Sequence, residues 1–303
     1  MVYLYRRRGS DGAREIADAL TVNARRIQDL SRAHFGNGVR GGDVVICWGD
    51  HFPPVNGVRT LNNVTINSKY SDALKLKEKG VATIEVSQTK PAPRQVAAPV
   101  DPLIALAEEA EEKFEAFLGG RVVRGPVLRD SLNEIQGLIG RLVQANHNPP
   151  PAPRVEAVQG EWVGRTNNHI GGTDLLNPVG QPDFYAKKEE LKEEYRIHIF
   201  NGKSIRAGVK VKREGFANPH AWVRSFDGGW KIKYDEFKSK KKMREIAAKA
   251  VEALGLNFGA VDLGKKADGT YVVLEVNRAP GAEGGTSTAY AGAIERWLRE
   301  EGN

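Results

Sequence analysis

The stretch that decides the fold is FGAVDLGKKADGTYVVLEVN, residues 258–277. It contains two apolar runs joined by a polar segment with an Asp-Gly pair, a pattern that predicts two strands paired as a hairpin. Asp262 interrupts the first run, and Glu275 and Asn277 interrupt the second. Residues two apart on a strand point the same way, so Glu275 and Asn277 share a face. The hairpin would therefore bring all three polar side chains together.

These three side chains carry a definite chemistry. Two carboxylates and a carboxamide form an all-oxygen ligand set, which is what Mg²⁺ prefers beside phosphate oxygens. Polar groups inside apolar strands are costly to bury without a compensating partner. Asp262, Glu275 and Asn277 are therefore candidate metal ligands. A buried hydrogen-bond network without a metal is the alternative.

Residues 1–87 alternate between strand and helix patterns. In chain order these are the strand VYLYR, the helix AREIADAL, the strand VVICWG, a helix after Asn67-Ser68-Lys69, and the strand VATIEVS. This β-α-β-α-β order predicts a small open parallel sheet. We therefore expect an N-terminal α/β domain over residues 1–90.

Residues 91–152 read as a linker and a helical insertion. A Pro/Ala-rich stretch precedes two charged helices, and the sequence NPPPAPR follows them. Such breaks separate independently packed segments. The insertion at 101–147 is either a packing appendage or, as the alternative, a partner surface.

Residues 153–303 show strand patterns separated by Gly and Asn turns, so we expect a mainly antiparallel sheet there. Asn201-Gly202 predicts a two-residue hairpin between RIHIF and SIRAGVKV. The strand patterns also include DFYAKKE and AWVRSF, and MREIAAKAVEALGL predicts an amphipathic helix that ends at Gly255. A terminal helix completes the chain. The expected fold class is α+β, with a lid subdomain at about 153–187 and a catalytic subdomain at about 188–303.

Composition narrows the classes of function. The chain has 303 residues, a net charge of +7 and one cysteine, Cys47, which excludes an internal disulfide and a cysteine-only metal cage. No run approaches the ~20 apolar residues of a membrane helix, and the first residues lack the apolar region of a secretory signal. We therefore expect a cytoplasmic protein with no membrane association. The basic balance favours anionic partners.

The basic run KSKKKMR, residues 238–244, is either a solvated helix face or a contact for an anion. It lacks the interleaved aromatic residues that single-strand binders use, so nucleic acid is possible but not indicated. No GxSxG motif or recognisable triad occurs, and the six histidines show no metal-ligand spacing. Cys47 lies in a predicted buried strand and is expected to belong to the core.

Several groups are candidates for binding phosphate. The Gly-rich loop GRTNNHIGGTDL, residues 164–175, matches neither a P-loop nor GxGxxG, and the segment RAPGAEGGTSTAY precedes a helix whose N-terminus can bind an anion or simply be capped. In EYRIHIF, one face packs and the other presents Arg196 and His198 as cations. The remaining candidates, each of which can equally be an exposed charge or a loop residue, are Arg165, His169, Gly171, Gly172, Lys187, Lys188, Lys210 and Lys212.

Taken in chain order, these segments resemble the ATP-grasp superfamily. They are most similar to its ribosomal-protein glutamate ligase-like and phage-type members. LGLNFGAVDLG followed by YVVLEVNRAPG is similar to the metal-binding hairpin of that family and its trailing loop. EYRIHIFNGKSI resembles the strand-turn-strand that follows the nucleotide hinge in that family. WVGRTNNHIGGTDL resembles the flexible loop that lies over the phosphates. VVICWG and the helices on either side of it resemble the small N-terminal domain. The resemblance covers residues 1–87 and 155–303.

The resemblance implies two α+β subdomains that hold ATP between them, and it implies a role for each matching position. Asp262, Glu275 and Asn277 match the Mg²⁺ ligands. The other matches are Arg165 at the phosphates, Lys187 through Glu190 at the adenine, Arg196 as the arginine of a family motif, and Lys210 or Lys212 near the phosphates. Some members place an arginine two residues before the metal aspartate, where this chain has Ala260. Stabilisation of an acyl phosphate would then fall to Arg196 or Arg278.

The implied function is an ATP-dependent carboxylate–amine ligase that forms an amide or peptide bond through an acyl phosphate. Its cofactors would be ATP and Mg²⁺, and its substrates an amino acid or peptide carboxylate and an amine. Arg278 stands where a small residue is expected, which would tune the choice of acceptor. Two alternatives stay open: a kinase-like enzyme with the same cleft, and a non-catalytic ATP-binding module associated with nucleic acid. The sequence names neither substrate and says nothing of the oligomeric state.

Overall fold

The computed structural model describes residues 1–6, 11–27, 38–65, 67–91, 137, 162–167, 172–176, 181–235, 237–282 and 284–301. Residues Met1–Lys90 and Trp162–Asn303 form one compact unit, and Pro91–Glu161 form a second. The two helices predicted in the insertion lie outside the described residues, apart from Gly137. Within the described ranges, no helix is long and apolar enough to cross a membrane. The three-domain division stays a prediction.

The first sheet is parallel, as the alternating pattern predicted. Its strands are β1 (Val2–Tyr5), β2 (Ala24–Ile27), β3 (Val44–Cys47) and β4 (Arg59–Leu61), in the order β2-β1-β3-β4. The central strands β1 and β3 are buried throughout, which explains their unbroken apolar sequences. Helix α1 (Asp11–Ala19) packs on this sheet through Ala13 and Ile16. The pattern missed β2 and β4, because ARRI and RTL are polar and short.

The prediction that VATIEVS closes this parallel sheet was wrong. Only β5 (Val86–Ser87) is a strand, and it pairs antiparallel with β7 (Phe184–Lys187). With β6 (Trp162–Arg165) these strands form a three-stranded sheet in the order β5-β7-β6. The preceding residues bond elsewhere: the Ile84 amide donates to the Val273 carbonyl, and the Val273 amide donates to the Ala82 carbonyl. The segment VATIEVS therefore forms backbone hydrogen bonds to the other two sheets, through β7 and β12.

The largest sheet has five strands, in the order β10-β9-β8-β11-β12. They are β8 (Leu191–Phe200), β9 (Lys203–Lys212), β10 (Trp230–Lys233), β11 (Phe258–Lys266) and β12 (Tyr271–Asn277), and every pairing is antiparallel. The predicted β8–β9 hairpin is present, and both turn residues, Asn201 and Gly202, have positive φ, 46° and 72°. A type I′ turn requires this conformation. The predicted β11–β12 hairpin is also present.

The helices begin and end where local signals placed them. Helix α2 (Lys69–Glu78) starts after Ser68, whose hydroxyl accepts the Ser71 amide. Helix α4 (Lys241–Ala253) ends in a Schellman arrangement around Gly255, whose φ is 74°. The remaining helices are the one-turn α3 (Thr173–Leu176) and the terminal α5 (Gly285–Glu301).

The two faces of the five-stranded sheet differ, and this difference positions the site. Ile197, Ile199, Val261 and Leu263 belong to the core that α4 covers. On the other face, Phe200 and Phe258 join the core of the parallel sheet and α5, with Trp48 stacked on Phe258. Farther along this second face lie Arg196, His198 and Asp262.

The prediction of a strand at AWVRSF was also wrong. These residues belong to the loop between β9 and β10. Nδ1 of His220 accepts the amide of Val223 at 2.9 Å, and the Arg224 guanidinium donates to the Leu191 carbonyl at 2.6 Å. The amides of Trp222 and Val223 both bond to His220 Nδ1, so they do not pair in a strand despite the β-branched and aromatic residues of the segment.

Candidate active site

A row of charged residues crosses four strands of the five-stranded sheet. Arg196 on β8 is the register partner of Asp262 on β11, which is in turn the partner of Glu275 on β12. Arg196 donates from Nε and Nη2 to the two carboxylate oxygens of Asp262, at 2.7 and 2.8 Å. Nζ of Lys210 on β9 lies 3.6 Å from Asp262 Oδ2 and donates to Glu194 at 3.0 Å. The antiparallel register therefore gathers residues that are far apart in sequence.

The charges in this row hold each other ionised. Burial alone would raise the pKa of Asp262, but Arg196 and Lys210 lower it well below its usual range. Burial would likewise lower the pKa of Lys210, and the carboxylates of Asp262 and Glu194 raise it. A buried pair of this kind is strong only when its hydrogen bonds are complete, and the two-point Arg196 contact meets that requirement.

Glu275 and Asn277 extend the row toward the sheet edge. Asn277 is the register partner of Ala260, two residues from Asp262. Nζ of Lys69, in the first turn of α2, donates to Glu275 Oε1 at 3.0 Å, and both side chains are about a quarter exposed, 28% and 26%. A cationic nitrogen thus stands beside each of the two candidate metal carboxylates.

These oxygens fit a Mg²⁺ ion that shares its coordination with phosphate and water. Within the described ranges, no group of three or more His, Cys, Asp or Glu side chains is placed to cage a metal. Mg²⁺ in nucleotide sites needs only one or two protein carboxylates. Each carboxylate has about four acceptor positions, so Asp262 retains capacity beyond its two bonds to Arg196. The donor set therefore suits a nucleotide-bound ion and not a closed structural site.

His198 is not a cation, contrary to the prediction for its strand face. It is fully buried, and burial together with Arg196 lowers its pKa to about 3. Its two ring nitrogens contact the hydroxyls of Tyr290, at 3.2 Å, and Tyr234, at 3.0 Å. A neutral ring bonded on both sides links the sheet to α5.

Of the cationic candidates on the three-stranded sheet and the hinge, several already contact other groups. Arg165 donates to Asp174 at 2.9 Å, and Asp174 also accepts the Thr166 amide. Lys187 lies 3.6 Å from Glu85, and Lys188 lies over the Trp222 ring at 5.0 Å.

The remaining predicted binding residues are dispersed. Gly172 has a φ of 74° and precedes α3, Glu190 is exposed just before β8, and Lys212 is exposed at the end of β9. His169 and Gly171 lie outside the described residues. The structure therefore brings Arg196, Lys210, Asp262, Glu275 and Asn277 together, and it leaves Lys212 and Glu190 apart from that group.

The first residue of α5, Gly285, packs against the five-stranded sheet. A Cβ on Gly285 would lie 2.4 Å from Arg206 Nη1, and the Arg206 guanidinium stacks over the Tyr234 ring at 4.1 Å. The Ser287 hydroxyl donates to the Gly284 carbonyl at 2.6 Å. This bond engages the Gly284 carbonyl and does not cap a free amide of the helix, and the Arg206 guanidinium lies beside the helix start.

Arg278 makes the contact that the sequence did not foretell. Its Nη2 donates to Asp72 Oδ1 on α2 at 2.5 Å, and the two side chains are only 9% and 14% exposed. Burial raises the pKa of Asp72 to about 6, although Arg278 opposes this shift. A small cleft nearby is lined by Lys69, Asp72, Arg165 and Glu275 over an apolar floor. Sequence reasoning missed Lys69 and Asp72, because no local signal distinguishes them from surface residues of a helix.

Comparison with solved structures identifies the fold. No family model and no curated protein matches the sequence. The structure is similar to that of D-alanine–D-alanine ligase from Bacillus anthracis complexed with ATP, with a TM-score of 0.52, 13% identity, and coverage of 100% of this chain and 99% of that one. The architecture, a parallel sheet followed by two antiparallel sheets, is therefore the ATP-grasp fold.

Two further solved structures are similar to this chain at comparable TM-scores and identities. One is the ATP-grasp ligase PsnB complexed with precursor peptide PsnA2 and AMPPNP, with a TM-score of 0.51, 11% identity, and coverage of 97% and 96%. The other is D-cycloserine synthetase DcsG, with a TM-score of 0.51, 16% identity, and coverage of 98% and 99%. At these identities the likeness establishes the fold, and the subfamily within it stays a prediction.

Proposed function

We propose that this protein is an ATP-dependent carboxylate–amine ligase that uses ATP and Mg²⁺ and forms an amide or peptide bond through an acyl phosphate. The observation that carries this proposal is the row formed by Arg196, Asp262 and Glu275, with Asn277 beside it. It combines oxygen ligands with buried cations on one face of a sheet whose fold is that of ATP-grasp ligases. Such a surface suits a polyphosphate accompanied by a divalent ion.

The proposed reaction requires no protein nucleophile. An oxygen of the substrate carboxylate attacks the γ-phosphorus of ATP, the bond to the bridging oxygen breaks, and ADP leaves. The amine then attacks the acyl carbon, phosphate leaves, and the amine gives up a proton. Mg²⁺ held by Asp262, Glu275 and Asn277 would neutralise charge on the phosphate oxygens.

In this proposal the two arginines, Arg196 and Arg278, have different roles. Arg196 uses Nε and Nη2 on Asp262, so its main task is to hold that carboxylate in place. Arg278 uses Nη2 on Asp72, and its buried Nε has no hydrogen-bond partner among the described residues. We therefore assign Arg278 to the phosphoryl oxygens of the acyl phosphate. Arg165, Lys187 and Lys210 are assigned to ATP.

The substrates are proposed as an amino acid or peptide carboxylate and an amine. The similar folds include a ligase solved with a precursor peptide and one named for joining two D-alanines. The test is ADP release with Mg²⁺ across a panel of amino acids and short peptides. Glu275→Gln is the matched control, because it keeps the shape of the side chain and removes the charge. Substrate-dependent ADP that is lost in Glu275→Gln supports the ligase, and ADP release without any amide product excludes it.

One observation favours a second candidate, a nucleic-acid-associated module. Lys238, Lys240, Lys241, Lys242 and Arg244 are exposed at the start of α4, whose first turn has no acidic residue. Cations at a helix N-terminus oppose the helix dipole, so this cluster lowers stability unless an anion binds. Binding of single-stranded DNA or RNA, with affinity that falls steeply with salt, supports this candidate.

A further inference from the structure

We propose that Asp72 is a positioning residue of the candidate active site, which holds the Arg278 guanidinium where its Nε can donate to a phosphoryl oxygen of the reacting group. This inference rests on the proposed ligase function and adds a residue from the N-terminal part of the chain to it. Asp72 does not touch the substrate in this arrangement. It acts through Arg278.

The first observation is the place of the pair in the chain. Asp72 lies in the first turn of α2, and Arg278 directly follows Asn277 at the end of β12. The side chains meet at 2.5 Å across a separation of 206 residues, and each is largely buried. Since a buried ion pair contributes little net stability compared with apolar packing, we interpret this pair as a means of fixing the orientation of Arg278.

The second observation is that one hydrogen-bond donor of Arg278, Nε, has no partner among the described residues. This nitrogen is buried. A buried donor without a partner costs about 1–3 kcal/mol, so a ligand that accepts from it recovers this free energy. A guanidinium presents its donors in a rigid fork. Fixing Nη2 on Asp72 therefore also fixes the direction of Nε.

The third observation is that other cations on this face are already bound. Arg196 and Lys210 contact Asp262, and Lys69 contacts Glu275. Arg278 is thus the guanidinium beside the candidate metal ligands whose Nε is left for a ligand. An oxyanion of a phosphoryl group is the chemistry that suits it.

The first experiment measures binding of inorganic phosphate to the full chain saturated with MgADP, by calorimetry. Asp72→Asn should weaken phosphate binding about tenfold, since it removes the charge that orients Arg278. Arg278→Met should abolish this binding, and Asp72→Glu should restore part of it. Glu78→Gln, which removes the same charge from the exposed last turn of α2, should change nothing. Equal phosphate affinity in the unaltered protein and Asp72→Asn overturns the proposal.

The second experiment separates positioning from a merely structural role. In the exchanged variant Asp72→Arg/Arg278→Asp, the ion pair can form again, but the guanidinium then comes from α2. We expect the urea midpoint to recover and phosphate binding to remain lost. Recovery of both overturns the proposal, because the pair would then be only a structural link.

Steady-state kinetics distinguish this inference from the ligase proposal. For any substrate that releases ADP in the panel, Asp72→Asn should raise the substrate KM or lower kcat about tenfold with the KM for ATP nearly unchanged. A protein that binds phosphate as expected but forms no amide refutes only the ligase function. A working ligase in which Asp72→Asn has no effect refutes only the role of Asp72.

Discussion

Arg196 and Asp262 form a two-point ion pair across the β8–β11 strands, with N–O distances of 2.7 and 2.8 Å. The pair lies on one face of a sheet whose opposite face packs Ile197, Ile199 and Val261 into a hydrophobic core. Because both oxygens of the carboxylate are engaged, the pair fixes its plane as well as its position. The orientation of Asp262 in the candidate metal site therefore depends on a residue of the neighbouring strand.

Replacing Arg196 should destabilise the fold in proportion to the bonds lost. Arg196→Met leaves Asp262 with Lys210 alone, and removal of one partner from a buried pair costs about 3–5 kcal/mol. Arg196→Lys keeps the positive charge but cannot donate to both carboxylate oxygens in the planar geometry of a guanidinium. We expect its free energy of unfolding to fall by about 1–2 kcal/mol. Urea unfolding followed by circular dichroism measures both. Equal midpoints for the lysine variant and the unaltered protein would contradict the importance of the two-point contact.

His198 should make stability depend on pH in the mildly acidic range. Its pKa is about 3 in the folded protein, whereas an unfolded histidine has a pKa of about 6.5. Below about pH 6.5 the unfolded chain binds a proton that the folded chain does not, so stability falls as pH falls. From about pH 7.5 to about pH 5 this one group accounts for about 2 kcal/mol of lost stability.

The variant His198→Gln keeps a polar side chain between the two tyrosines and cannot titrate. Its unfolding free energy should therefore decline less between those pH values, by the contribution of one proton. Urea midpoints at matched pH values for both proteins provide the comparison. Parallel curves would show that His198 already accepts a proton in the folded state.

Gly49 allows the loop after β12 to approach the carboxyl end of β3. Its φ is 80°, and a Cβ there would lie 2.6 Å from the Cβ of Ala279. Gly49→Ala should therefore lose about 2–4 kcal/mol, from the clash and from the left-handed backbone together. Adding Ala279→Gly removes the clash but not the backbone strain, so it should recover only part of the loss. Full recovery in a thermal-unfolding comparison would show that strain contributes nothing.

Lys69 should compete with a divalent ion for Glu275. Its ammonium group lies 3.0 Å from Oε1, so Lys69→Met removes a cation that Mg²⁺ would have to displace or share. We expect the Mg²⁺ concentration needed for half-maximal ADP binding to fall several-fold. This partly exposed ion pair contributes only about 0–1 kcal/mol, so thermal stability should hardly change. A higher Mg²⁺ requirement in this variant would instead indicate that Lys69 binds the nucleotide.

The sequence by itself determined the elements that depend on local chemistry. Asn201-Gly202 predicts its hairpin because both residues tolerate positive φ, and Ser68 and Gly255 mark helix ends because they satisfy terminal backbone groups. The trio Asp262, Glu275 and Asn277 was found because polar side chains in apolar strands require a partner. Each of these signals lies within a few residues of the feature that it predicts.

Only the tertiary structure decided the features that join distant segments. VATIEVS looks like a strand of the parallel sheet, but its backbone bonds are made to β7 and β12. AWVRSF has strand propensity, but the His220 ring accepts the Val223 amide, which a strand would use in its ladder. Propensity is weak compared with such long-range contacts, so no local pattern could have excluded either strand.

The charge states and partners of the site residues were likewise decided by the tertiary structure. A sequence shows that His198 and Arg196 share a strand face, but burial makes the histidine neutral while Asp262 keeps the arginine charged. Asp72 and Lys69 look like ordinary residues of a helix surface until α2 meets β12. Their partners, Arg278 and Glu275, are about two hundred residues away in the chain. Desolvation and pairing depend on three-dimensional neighbours, and these are what the fold supplies.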